Sequence, residues 1–423
     1  MLIRNGRVID PSQNIDRVAT VAIREGKIAE IGDLKNVTAD NDIDASGFIV
    51  CPGLIDMHVH LRAPGMEEAE TIDSGTAAAV AGGFTAIACM PNTKPALDNA
   101  TMIRGVLHEA AQSAHCRVYP IGAITKGRRG EELADIELMR EAGAVAFSDD
   151  GDGIQDAGVC FKAMQYMSGS DSLFIQHCED RSLAAGGCVH AGAVADRLGL
   201  PGLPALAEEV MVQRDVQLAR GAGTRYHMCH ISTAGAVEII RRAKADGIAA
   251  TTEVCPHHLL LTDKECERFD ANWKMNPPLR TQEDVDACLA GVRDGTIDCL
   301  ITDHAPHPPE TKSLPLEEAS FGIVGLETAL GLFIKALIDP EIIGWPRLVH
   351  AMSTAPAEIL RVPGGTLQKN APADITLIDP QRKWTVDANA FRSKSRNTPF
   401  DGWKLRGKAV MTIVGGVKKF SEL

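Results

Sequence analysis

The chain has 423 residues, with 43 Lys and Arg against 56 Asp and Glu, a formal net charge of −13. That acidity excludes the broad basic patches that a nucleic acid or an anionic membrane would need. With 45% hydrophobic and 23% charged residues, the composition is that of a globular protein large enough to bury its core without staples. The length fits one large α/β barrel with a smaller appended domain.

In chain order, the opening MLIRNGRVIDPSQ lacks the apolar core of a signal peptide. No apolar run approaches membrane-spanning length, and the expectation is a cytoplasmic protein. LIRNGRVID, RVATVAIREGKIAEIG and SGFIVCPG read as short strands around Asn-Gly and Glu-Gly turns. Eight candidate buried strands follow: Leu54–His60, Phe84–Met90, Arg117–Ile121, Ala144–Asp149, Leu173–His177, Arg225–His230, Ala249–Val254 and Asp298–Asp303. Most are short apolar runs, as parallel strands covered on both faces should be. Helical patterns separate them, among them GTAAAVAGG, GEELADIELMREAG, AEEVMVQRDVQLARG and AGAVEIIRRAKADG. This alternation predicts a (β/α)8 TIM barrel over residues 53–363. The Pro-rich segment 305–322 follows the last barrel strand and is a candidate active-site lid, not helical at its start. DITLIDP, KWTVDA and AVMTIVGGVKKF return to strand character. Residues 1–52 and 364–423 therefore predict one composite β domain, a small β-sandwich built from both chain ends. The eleven Cys form no C-x-x-C pair, so reduced, buried thiols are expected. Cys178 and Cys229, although next to His177 and His230, read better as small core residues than as metal ligands.

The chemistry lies at the strand ends. His58 and His60 sit two apart at the end of the first barrel strand, so both rings face the same side. Buried together they are costly unless something binds them, and a metal ion is the obvious satisfier. Strand four ends in Asp149 and Asp150, strand five in His177, strand six in His230, and strand eight in Asp303, His304 and His307. A TIM barrel carries every such end to one face, so residues scattered along the chain converge. Imidazole with carboxylate suits Zn²⁺, with Mn²⁺, Co²⁺ or Fe²⁺ as alternatives. The surplus of ligands suggests two ions bridged by a carboxylate and a hydroxide. Adjacent residues on a strand face opposite ways, so only one of Asp149 and Asp150 should reach the ions, and spacing alone leaves the choice open. His108, His115, His190 and His350 read as surface residues, and His257 and His258 as structural. His227 shares the site-facing side of its strand less clearly than His230.

Taken together, GLIDMHVHLRAPG (53–65), MPNTKP (90–95), FSDDGDGIQD (147–156), QHCED (176–180), CHIST (229–233), CPHHL (255–259), KMNPPLR (274–280) and TDHAPH (302–307) resemble class I bacterial dihydroorotases over essentially the whole chain. The resemblance implies that His58 and His60 bind one metal, that His177 and His230 bind a second, and that Asp150 bridges the two. Asp303 would be both ligand and catalytic acid/base. Arg62, Asn92, Asn276, His307, Phe321 and Gly322 would hold the substrate. The implied reaction interconverts N-carbamoyl-L-aspartate and L-dihydroorotate in UMP synthesis with two Zn²⁺ per subunit. Family members are commonly homodimers, and some associate with aspartate carbamoyltransferase. Hydantoinases, dihydropyrimidinases and allantoinases are the nearest alternatives. They usually bridge their metals with a carboxylated Lys at the end of strand four. Here that stretch reads AVAFSDDGDG, and the nearest upstream Lys is Lys126 in a different segment. A non-catalytic scaffold relative would have lost ligands, and this chain retains each one the motifs require.

Overall fold

A computed structural model describes residues 1–34, 36–39 and 41–423. The N-terminal strands are β1 (Leu2–Asp10), β2 (Ile15–Arg24), β3 (Lys27–Gly32), β4 (Asp42–Asp44) and β5 (Ile49–Pro52). The Glu25-Gly26 turn closes the β2–β3 hairpin, with φ of 52° and 73° between paired Arg24 and Lys27. Such a two-residue turn needs positive φ at both centres. Asn5-Gly6, expected as a turn, instead lies inside β1, where the register against β2 shifts between Ile3 and Gly6. A Cβ on Gly6 would lie 2.5 Å from Val50, so close strand packing explains this glycine.

Each of the eight predicted runs forms a barrel strand: β6 (Leu54–Val59), β7 (Phe84–Cys89), β8 (Arg117–Gly122), β9 (Ala146–Ser148) and β10 (Leu173–Gln176). After a short parallel pair in the next connection, β11 (Val189–His190) and β12 (Gly202–Leu203), come β13 (Arg225–Met228), β14 (Ala250–Val254) and β15 (Cys299–Leu300). Their spatial order follows the chain, all parallel, from β6 to β15. A parallel bridge between Val59 and His304, with His60 N–H donating to His304 O at 2.9 Å, closes the ring. The paired segments mostly stop short of the predicted C-terminal ends, leaving His60, His177, His230 and Asp303 just beyond the ladder. Helices Ile72–Gly82, Ala205–Ala222 and Ala234–Ala245 cover the outside, as their patterns predict. The expected helix over 130–143 is only Ile136–Ala142, because Leu133 bridges back to Thr125. Segment 305–322 holds one short helical turn, Pro309–Lys312.

The C-terminal strands β16 (Ile375–Thr385), β17 (Lys404–Val414) and β18 (Val417–Ser421) join the N-terminal ones in a single sheet ordered β18-β17-β16-β5-β1-β2-β3, with β4 paired to β1. Antiparallel pairing of β5 with β16 is the seam between the chain ends. The sheet encloses its own core of Ile3, Val21, Val50, Ile375, Leu377 and Ile413, the sandwich expected of the two ends. Thr376 and Thr412 side chains bond to Gly83 O and Val80 O of the barrel at 2.6 and 2.7 Å. All eleven Cys are buried and unpaired. Among the described residues no helix is long and apolar enough to cross a membrane.

Candidate metal centre and active site

Strand alternation puts His58 on the inner face of β6 and carries His60, one residue past its end, to the same side, both buried. Asp150 stands at the centre of the mouth. Its carboxylate oxygens lie 3.5 Å from His58 Nε2, 3.7 Å from His60 Nε2, 3.9 Å from His177 Nδ1 and 4.0 Å from His230 Nε2. Asp303 Oδ1 lies 3.0 Å from His60 Nε2 and 3.5 Å from His58 Nε2. Of the two neighbouring aspartates, Asp150 is the one that faces the imidazoles. Asp149 turns away and accepts from the backbone N–H groups of Ile124 and Thr125 and from the Thr125 hydroxyl. Arg62, His230 and Asp303 have φ of 60°, 28° and 49°, a region costing non-glycine residues roughly 1–3 kcal/mol each and common at functional sites.

The side chains behind these residues decide which ring nitrogen faces the centre. His58 Nδ1 lies 2.6 Å from Glu253 Oε1, and His60 Nδ1 lies 2.8 Å from Asn92 Oδ1. With those nitrogens donating, both Nε2 lone pairs are left facing inward. His177 presents Nδ1 instead, with Nε2 turned toward Asn276 Nδ2 at 3.4 Å. Glu253 was missed in the sequence. A charged residue in the middle of the buried strand β14 is costly without partners, and that was the available signal. It also faces His227 Nε2 at 3.1 Å, which gives His227 a place in the barrel interior. Burial raises the pKa of Glu253, but His58 and His227 outweigh this and bring it to about 2. Asp56, also missed, accepts from the backbone N–H groups of His58 and Thr302, and burial pushes it up to about 7.

The donor set fits divalent cations. His58 Nε2 and Asp150 Oδ1, which face each other at the centre, are buried without a hydrogen-bond partner. His177 Nδ1 and His230 Nε2 face each other at 2.9 Å. Ligands of a tetrahedral ion with bonds of about 2.0–2.1 Å stand about 3.3–3.4 Å apart, a spacing that His58 Nε2 approaches with Asp150 Oδ1 and Asp303 Oδ1 at 3.5 Å, while the His177–His230 pair is closer. Burial raises the Asp150 pKa, yet His58 and the other imidazoles hold it well below the usual carboxylate range. The Cys229 thiol also lies within reach of His58, Asp150 and His230. Burial pushes its pKa up, which keeps it a neutral thiol packed among apolar neighbours.

A cavity of about 230 Å³ opens over this centre, lined by Arg62, Asn92, Asn276, His307, Phe321 and Gly322 together with His60, Asp150, His177, His230 and Asp303. Arg62 donates from Nε to Pro306 O at 3.1 Å, and burial lowers its pKa only to about 10, so it stays charged at neutral pH. Burial, then Arg62 and Lys312, bring His307 down to about 3, leaving a neutral ring 2.7 Å from Phe321 O. Of the four histidines expected at the surface, His108 is exposed and His115 half-buried, and the others depart from that expectation. His190 is buried, with Nδ1 facing Arg280 Nη1 at 3.1 Å, and His350 is half-buried. His257 and His258 are buried, and His258 Nε2 lies 3.0 Å from Pro277 O.

The L-hydantoinase (dihydropyrimidinase) from Arthrobacter aurescens superposes with a TM-score of 0.89 at 28% identity, over 100% of this chain and 96% of that one. A D-hydantoinase from Thermus sp., at 24% identity and a TM-score of 0.87, shares the fold. A closed barrel with a split terminal sheet and this mouth defines a cyclic amidohydrolase. A family profile described as "Dihydro-orotase-like" matches residues 47–236. The dihydroorotase of Pelotomaculum thermopropionicum is 50% identical over 416 residues, 98% of this chain and 97% of that protein. That of Syntrophotalea carbinolica is 48% identical over 417 residues, 98% of each chain. The chain belongs to the dihydroorotase family.

Proposed function

We propose that this chain is a class I dihydroorotase, interconverting N-carbamoyl-L-aspartate and L-dihydroorotate plus water in pyrimidine synthesis, with two zinc ions at the barrel mouth. The observation that carries this reading is Asp150, a carboxylate within 4.0 Å of four imidazoles at the position where a lysine would mark the hydantoinase type. Lys126 instead pairs with Glu132 at the surface. His58 and His60 would hold one ion, His177 and His230 the other, with Asp150 between them and Asp303 on the first. Bound there, the ions would supply water ionised near neutral pH and polarise the ring carbonyl.

The chain's own residues account for the remaining steps. Asp303 takes the proton of the attacking water and passes it to the ring nitrogen as the amide C–N bond breaks, and ring closure runs the same transfers backwards. Arg62 presents a forked donor that matches the substrate carboxylate, a group that neutral hydantoins lack. Asn92, Asn276, His307 and the Phe321–Gly322 backbone complete the pocket. Asn92 also holds His60 and donates to Asp150 Oδ2 at 3.4 Å, so it links the substrate side to the donor set. The same reading includes a cytoplasmic homodimer, and its eleven unpaired thiols suit a reducing compartment. Metal analysis combined with hydrolysis of dihydroorotate and of hydantoin is the test. Two zinc ions per chain with activity on dihydroorotate alone are expected. Preference for hydantoin, or a metal-free inert protein, would overturn the proposal.

A further inference from the structure

Segment 305–322 is fastened down over the mouth. Ala305 N–H donates to Ile323 O at 2.8 Å, and Gly322 N–H donates to Lys274 O at 3.0 Å. Between these points the backbone pairs within its own turns, as in Ser320 N–H to Thr311 O at 3.1 Å, Asn397 Nδ2 donates to Ala305 O and Gly322 O at the two ends, and two lysines add further bonds. The Lys312 ammonium donates to three carbonyls, Ser320 O at 2.9 Å, Gly322 O at 3.0 Å and Lys274 O at 3.3 Å. That matches one carbonyl to each of its three N–H donors. The Lys274 ammonium donates to Leu316 O at 2.7 Å and Glu317 O at 3.0 Å, and lies 4.2 Å from the centre of the Phe321 ring. Among the described residues neither ammonium has a carboxylate within ion-pair distance. Both charges are used on main-chain oxygens: Ser320 O, Leu316 O and Glu317 O depend on these ammonium groups, while Lys274 O also accepts from Gly322 N–H and Gly322 O from Asn397 Nδ2 at 3.1 Å. The wall they frame has little freedom of its own. Gly322 sits at φ 115°, and a Cβ there would lie 2.6 Å from Ala305 Cβ.

We propose that Lys312 and Lys274 are positioning residues, stapling residues 308–322 across the barrel mouth so that the Phe321–Gly322 backbone keeps the spacing the substrate ring requires. The inference rests on the substrate pocket assigned above. Burial, and then Lys274, lower the Lys312 pKa to about 7, against Asp270, which raises it. His307 and Arg396 face the same space. Deprotonation removes one donor, so the staple weakens as pH rises above about 7.

The test is hydrogen exchange of the 320–323 amides in zinc-loaded, substrate-free protein, together with kcat and KM for dihydroorotate from pH 6.5 to 9, where these bounds are chosen roughly to bracket the titration. Lys312→Met should speed exchange at these amides about tenfold or more and raise KM about tenfold while changing kcat little, as expected on losing charged hydrogen bonds. The wild-type KM should climb toward the alkaline end, and that of Lys312→Met should be high and flat. Lys312→Gln, which keeps two N–H donors, should fall between them and serves if the Met variant does not fold. Unchanged exchange and unchanged KM in both variants would overturn the staple. So would equal losses of kcat and thermal stability with no change at 320–323. Faster exchange in a protein inert to dihydroorotate would leave the staple standing and sink the assigned substrate instead.

Discussion

His58 and His60 each turn an outer nitrogen onto a fixed acceptor, Glu253 at 2.6 Å and Asn92 at 2.8 Å. On the opposite side of Asp150, His177 has Asn276 at 3.4 Å and Glu179 at 3.9 Å, and His230 Nδ1 has no hydrogen-bond partner among the described residues. In one pair His58 is held by an ionised buried carboxylate and His60 by a carboxamide, while the other pair depends on weaker contacts and on whatever it binds. Outer partners fix ring orientation and raise ligand basicity. The two halves of the mouth should therefore hold cations with unequal strength, the tighter ion lying beside His58 and His60.

The largest effect is expected where both halves serve the reaction. Asp303→Asn should cut kcat on dihydroorotate by about 10²–10⁴-fold, with zinc content, read by elemental analysis, largely kept. Near-normal turnover would remove Asp303 from its proton-transfer role. Arg62→Met should raise KM for dihydroorotate about 10–100-fold through lost charged hydrogen bonds, and leave weak activity on an uncarboxylated dihydropyrimidine unaltered. Equal losses on both rings would break the carboxylate clamp. Glu253→Gln bears directly on the asymmetry. It should weaken the tighter ion about 10–100-fold in chelator competition, whereas Asn276→Ala should change affinity far less. In the wild type a chelator should remove zinc in two phases, and a single phase would contradict unequal half-sites.

The smallest signal is in acid stability. The Glu253 pKa is depressed in the folded state, from 4.5 to about 2. Its stabilisation is therefore complete above about 4.5 and is lost as pH falls toward 2. In urea unfolding of metal-free protein, Glu253→Gln should flatten that part of the stability profile. An unchanged profile would mean that the carboxylate is not ionised behind His58.

The barrel was legible because buried parallel strands write themselves as short apolar runs, and the donor residues because each one ends such a run, as in Ile55-Asp56-Met57-His58-Val59-His60. Asp149 and Asp150 show where that legibility stops. Both are acidic and neighbouring, and only the turn after β9 decides that one caps Ile124 and Thr125 while the other faces four imidazoles. Glu253 was hidden because its partners, His58 and His227, lie 195 and 26 positions away in the chain. His190 read as a surface residue for the same kind of reason. Nothing near it in sequence announces the buried Arg280 it faces.

Residue order alone is enough to specify the eight-strand alternation, the strand-end histidines and carboxylates, and the β-rich ends that pair through β5 and β16. Those features are local, set by period, polarity and the direction of successive side chains along a strand. Folding in three dimensions is needed to set which nitrogen of each imidazole faces inward, which aspartate is central, and which main-chain oxygens Lys312 and Lys274 reach. Each of those outcomes depends on atoms brought within about 3 Å by ring closure and loop return, a distance over which hydrogen bonds act and about which linear order carries no information.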